Sequence, residues 1–239
     1  MKIAIYTAVY DNYEILRDPI VVNGVDYICF SDDLSLKSDI WNIRYLRNTH
    51  KSGLGSMFVK YIKLNSQRYL REYDYVIWID ANIVITNKNI LKYLAGKLFS
   101  TNIILFKHHD PNPVLRRNCA YKEAEFSRIH LDKYSEENIS DQINNYKQNG
   151  FPEEWGLFQS GVFMKNNQCR DVLNFDTAWL KEIYKYGNVF PQCQVSLPYC
   201  LWKTRIKYDV VAAPSIYESG LFEIFPHKNQ YIDKVYTSA

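Results

Sequence analysis

The sequence predicts a single-domain α/β fold with a mostly parallel central sheet flanked by helices, on three grounds. Short apolar runs of strand length alternate with longer stretches of helical periodicity. The run Tyr75-Val76-Ile77-Trp78-Ile79 is apolar without interruption, the pattern of a strand buried on both faces. Strand-like runs also lead into acids, at Asp11, Asp32-Asp33 and Asp80. In open α/β sheets ligands collect beyond the carboxyl ends of the strands.

Residues 2–10, apolar and rich in β-branched side chains, form the first predicted strand, which runs into the loop Tyr10-Asp11-Asn12-Tyr13. Residues 25–30 and 41–46 supply two more. Residues 56–73 predict one helix, with Met57, Phe58, Tyr61, Ile62, Leu64, Tyr69 and Leu70 as its stripe, Lys60 and Lys63 beside it and Ser56 as N-cap. After the strand at 75–80 come a short amphipathic segment at 89–98 and a strand at 102–106 that runs into Lys107-His108-His109-Asp110. Adjacent histidines in a strand point to opposite faces, so His108 is read as facing a pocket and His109 as structural or exposed. Helical stretches follow at 121–126 and 140–148, then a strand at 158–165 with Gly161 at a close backbone approach. A helix at 172–186 stopped by Gly187, a helix at 194–202 with Pro198 in its first turn or at a kink, and a strand at 206–212 complete the chain.

At 239 residues, with 47% hydrophobic and 23% charged residues, the chain can bury a large core in one domain. A formal net charge of +3 is too small to make nucleic acid the partner. The aromatic share is high, with 20 Tyr, 12 Phe and 5 Trp, and Tyr and Trp offer flat faces for bases and sugars as well as core filler. Cys29, Cys119, Cys169, Cys193 and Cys200 follow no C-x-x-C spacing, which argues against a zinc site or a disulfide framework and for a reducing compartment. No apolar run approaches roughly 18 residues, so the expectation is a cytoplasmic protein without a transmembrane segment.

Asp80, closing the most apolar run, suits a hard divalent cation, Mg²⁺ or Mn²⁺, with Asn82 as a further oxygen ligand. D-x-N is also ordinary turn chemistry. Neither G-x-x-x-x-G-K-[ST] nor G-x-G-x-x-G occurs, so a metal must do more of any diphosphate binding. Strands ending in acids, a basic helix and the late His227-Lys228 describe a pocket for an anionic, metal-bridged ligand, the situation of nucleotide-sugar transferases.

Taken in order, a set of segments resembles the glycosyltransferase-like family of plant and bacterial polysaccharide biosynthesis over nearly the whole chain. They are Ile28-Cys29-Phe30-Ser31-Asp32, Lys60, Trp78-Ile79-Asp80-Ala81-Asn82, Lys107-His108 and Cys119-Ala120-Tyr121-Lys122-Glu123-Ala124 in the first part. Gln142, Tyr146, Gly150-Phe151-Pro152, Ser160-Gly161-Val162, Trp179 and Gln194-Val195-Ser196 continue it. That family is similar to the GT-A (Rossmann-like) glycosyltransferases. The resemblance implies a nucleotide-sugar donor, with UDP the commonest nucleotide, and a divalent metal. It implies transfer to a hydroxyl of a glycan or lipid-linked glycan acceptor, the latter at the inner face of the membrane. A nucleotide-sugar half at about 1–110 and an acceptor half at about 111–239 follow from it.

By the same resemblance Asp80 is the first acid of a D-x-D metal motif, with Asn82 in place of the second, and His227 is either a late metal ligand or a surface residue. Thr7, Ala8, Tyr10 and Asp32 bound the base and ribose, and Lys60 and Lys228 serve the diphosphate. Glu123 and Asp141 are candidate bases of an inverting enzyme, with Glu153 and Glu154 behind them, and Gln159 or Gln194 is the donor-facing group of a retaining one. Gln159 and Cys193 stand where resembling sequences often carry carboxylates, which keeps open a carbohydrate-binding or scaffold protein of the same fold without turnover. A metal-dependent phosphodiesterase or nucleotidyltransferase is a third reading, and it needs more clustered acids.

Overall fold

Every residue of β1 (Ile3–Val9) is buried in the computed structural model, which describes residues 1–98, 100–108, 117–130, 136–186, 193–211 and 215–228. Successive strand side chains point to opposite faces, so Ala4, Tyr6 and Ala8 enter one core and Ile3, Ile5 and Val9 another. The same division runs through β4 (Tyr75–Ile79) and β6 (Ile103–Lys107): Val76, Trp78, Ile103 and Leu105 on one side, Ile77, Ile79, Ile104 and Phe106 on the other. Two-sided burial is the physical reason that these strands read as unbroken apolar runs. The first core packs under α1 (Gly55–Lys63), α4 (Ala120–His130), α6 (Arg170–Tyr186) and α7 (Cys193–Thr204) through Phe58, Ala124, Trp179 and Leu197. The second is covered by β5 (Ile83–Ile85), α3 (Ile90–Leu98) and β9 (Phe222–Ile224).

With β2 (Val25–Ser31), β3 (Asn42–Tyr45), β7 (Phe158–Asn166) and β8 (Tyr208–Val210), the main sheet has the strand order β3-β2-β1-β4-β7-β6-β8. All its pairs are parallel except those of β7, which runs antiparallel to both β4 and β6. The expected mostly parallel sheet with flanking helices is therefore present. Because β7 inserts between β4 and β6, the two stretches of the chain share one sheet.

Several local expectations are corrected. The helix expected over 56–73 is two helices, α1 and α2 (Ser66–Tyr69). Asn65 Nδ2 donates to the Tyr61 carbonyl at 2.7 Å, a side-chain bond that competes with continued helix. Ser56 is not the N-cap; Leu54 is, with no side-chain cap of its own. Pro198 sits inside α7 rather than in its first turn. The pairing of β5 with β9 went unforeseen, since three-residue strands are too short to show a period. Gly187 lies outside the described residues. All five cysteines are unpaired, and among the described residues no helix is long and apolar enough to cross a membrane.

Candidate functional site

At the end of β1 the chain reverses through Asp11 and Asn12, both left-handed with φ of 55° and 52°, a conformation that Asp and Asn tolerate best among residues with a side chain. Asp11 Oδ2 then accepts the Gly55 N–H at 2.5 Å, placing a carboxylate on the positive end of α1 in place of a local cap. Glycine is required at 55, because a Cβ there would lie 2.7 Å from the Tyr10 Cβ as well as against Asp11. This docking sets α1 beside the β1 loop. Ser56, Val59, Lys60 and Lys63, spaced three and four apart, then share one helix face that borders a cleft of about 250 Å³.

The opposite elements come from the β4 end: Trp78, Asp80, Ala81 and Asn82 border the cleft, joined by Ser160, Cys193 and His227. Trp78 and Asp80 are two apart on a strand and face the same way. The indole Nε1 donates to Asp80 Oδ1 at 2.6 Å, and Lys63 Nζ reaches the same oxygen at 3.3 Å. Oδ2 is left for a ligand. It lies 2.9 Å from the point where a Cβ on Gly161 would sit; the close approach at this glycine is thus by side chains rather than by the expected backbone. Asn82 gives Nδ2 to the Phe225 carbonyl at 2.9 Å, which leaves its Oδ1 for a ligand. Two hard oxygens of this kind fit the way Mg²⁺ is usually held, by one or two protein oxygens with water and phosphate completing the shell. Among the described residues no three His, Cys, Asp or Glu side chains converge.

Lys63 was not singled out beforehand, yet it is the cation that meets Asp80. Its ammonium lies 5.3 Å from the Trp78 ring and 5.6 Å from the Phe163 ring. Its main-chain carbonyl accepts from the Tyr6 hydroxyl at 2.7 Å and from Lys165 Nζ at 3.3 Å. Lys165 in turn meets Asp176 at 2.5 Å, both fully buried. Burial pushes the Asp176 carboxyl up to about 6 against the pull of Lys165, and lowers Lys165.

Glu14, also unforeseen, borders the cleft with its side chain 9% exposed. Its Oε1 meets His227 Nδ1, and its Oε2 is buried without a hydrogen-bond partner. His227 therefore lines the cleft at the Glu14 side. Lys228 donates to Asn12 Oδ1 at 2.5 Å and does not line the cleft.

The remaining expectations divide. Ala8, Tyr10 and Lys60 border the cleft, although the Tyr10 hydroxyl is spent on the Leu46 carbonyl at 2.7 Å. Thr7 is fully buried in β1, away from the lining. Asp32 stands next to Asp11 rather than in the lining; burial raises its carboxyl, and the Asp11 charge adds to that. None of the three catalytic candidates borders this cleft. Glu123 is buried, accepting from Gln194 Nε2 at 3.1 Å with Arg117 at 3.5 Å. Asp141 is exposed on α5 (Glu136–Gln148), and Gln159 is buried in β7. Glu153 and Glu154 are exposed. His108 is buried with Nδ1 at the Arg117 carbonyl, 3.1 Å away, and not at the cleft; His109 lies outside the described residues. No protein-family model matches the chain, and no curated protein matches it closely enough to count as a relative.

Proposed function

We propose that the protein is a GT-A-like glycosyltransferase that moves a sugar from a nucleotide-sugar donor, a UDP-sugar foremost, to a hydroxyl of a glycan acceptor in bacterial surface polysaccharide synthesis. The observation that carries this reading is Asp80, held by Trp78 and Lys63 at the carboxyl end of β4 in a cleft that Lys60 and Asn82 also border. Clefts at that end of a mostly parallel sheet are where ligands bind in α/β folds. A divalent cation held by Asp80 and Asn82 would supply Lewis-acid charge at the departing diphosphate. The chain's own contribution is electrostatic: Lys63 fixes the carboxylate and, with Lys60, sets positive charge where phosphate oxygens would lie.

A second reading is a carbohydrate-binding protein of the same fold without turnover. It is favoured by Cys193, which borders the cleft at a position where resembling sequences often carry Asp, and by Glu123 and Asp141 not being among the lining residues. Titration calorimetry of UDP, GDP and their sugar conjugates, with and without Mn²⁺, on wild type and Asp80→Ala tests the site. Metal- and Asp80-dependent binding with release of nucleoside diphosphate supports the transferase. Binding without turnover across an acceptor panel supports the second reading, and no nucleotide binding removes the first.

A further inference from the structure

Glu14 is the cleft's other carboxylate, and nothing in its motif context marks it. Its side chain is nine-tenths buried, one oxygen faces His227, and Oε2 has no hydrogen-bond partner. A buried carboxylate oxygen without a donor is costly, and the usual resolution at a cleft is a donor brought by the ligand. Lys60 and Lys63 border the same cleft, so the ligand is anionic over part of its length. A carboxylate tolerates such a ligand only where the ligand presents O–H or N–H groups. The Tyr13 ring, 5.6 Å from that of His227, adds a flat apolar face of the kind that sugars and bases pack on.

We propose that Glu14, with His227 fixing its first oxygen, accepts hydrogen bonds through Oε2 from a hydroxyl pair of the ligand, either the ribose or the transferred hexose. Glu14 thereby selects hydroxylated sugars over their deoxy analogues. The proposal rests on the nucleotide-sugar reading above, with Glu14 as a specificity residue and His227 as its positioning residue.

The test is calorimetric binding of UDP, 2′-deoxy-UDP, 3′-deoxy-UDP, UDP-glucose and UDP-2-deoxyglucose with Mn²⁺ present, on wild type, Glu14→Gln and Glu14→Asp, each checked for folding by thermal melting. Wild type is expected to prefer one hydroxylated ligand over its deoxy partner by about tenfold or more, the worth of a hydrogen bond to a charged group. In both variants that preference is expected to shrink to about twofold or less. A preference among the UDP forms assigns the ribose, and one among the UDP-sugars assigns the hexose; either upholds the proposal. If wild type binds UDP and both variants keep the full preference, the proposal is overturned and the nucleotide site stands. If Mn²⁺ alone binds wild type but not Glu14→Gln, Glu14 is a metal ligand and the proposal is overturned. If wild type binds no nucleotide, the proposal falls together with the reading on which it rests.

Discussion

Lys63 Nζ lies 3.3 Å from Asp80 Oδ1, yet the lysine side chain is 5% exposed and the aspartate 40%. The pair is lopsided: the cation has given up its water, while the anion keeps much of its own. Such a pair adds little to stability, because desolvation offsets the attraction. What it does is hold a charge in one place, between two aromatic rings.

Replacing Lys63 with Met is therefore predicted to leave stability within about 1 kcal/mol of wild type, since the apolar chain suits the Trp78 and Phe163 rings and Asp80 can be hydrated. Under the transferase reading, UDP binding is predicted to weaken by about tenfold or more. Thermal melts alongside calorimetry separate the two effects. A large loss of stability with unchanged binding would show Lys63 to be structural.

Gly161→Ala is predicted to act on the same carboxylate from the other side. The new Cβ would stand 2.9 Å from Asp80 Oδ2 and 3.0 Å from Ile83 Cδ1, both side-chain atoms that can shift. Stability should fall by only about 1 kcal/mol; under the transferase reading, metal-dependent nucleotide binding falls by about tenfold or more, because the carboxylate is displaced. Unfolding curves and Mn²⁺-dependent titrations read the two quantities.

The part of this site that was legible beforehand is the part written in local pattern. Asp80 stood out because two-sided burial forces an unbroken apolar run before it. Lys63 did not, because a lysine beside a helical stripe reads as solvated, and only the break after α1 and the carbonyl bonds from Tyr6 and Lys165 turn it inward. Glu14 was hidden by the left-handed pair Asp11 and Asn12, which redirects the loop in a way no periodicity records. The placing of Glu123 away from the cleft has the converse reason: Arg117 and Gln194 hold it in the interior, and such pairing is invisible in one dimension.

The buried pair behind the site gives a pH prediction. Asp176, raised in the folded state to about 6 from 3.8, holds a proton at pH values where the unfolded chain has released it. The folded state is thus favoured at low pH, and wild type should lose up to about 3 kcal/mol relative to Asp176→Asn as pH rises from about 4 to about 6. Urea unfolding of both proteins across that interval checks it. A difference that is flat with pH would refute the raised carboxyl.

Cys193→Asp places a carboxylate at the cleft border. Under the transferase reading it is predicted to raise diphosphate release in the presence of acceptor by about tenfold or more, short of the roughly 10²–10⁴-fold of a well-positioned general base, with UDP affinity changed less. A coupled diphosphate-release assay measures this. Unchanged turnover in a variant that still binds UDP would count toward the binding-protein reading.

Glu14 and His227 meet across 213 positions of sequence, whereas Trp78 and Asp80 meet across two. Contacts closing long loops tend to form late in folding. The Lys63–Asp80 floor of the cleft, closed across 17 positions, should accordingly be assembled before its Glu14 wall; under the nucleotide-sugar reading, a refolding chain then passes through a state able to hold phosphate but unable to choose among sugars. Affinity and selectivity would then be acquired at different times.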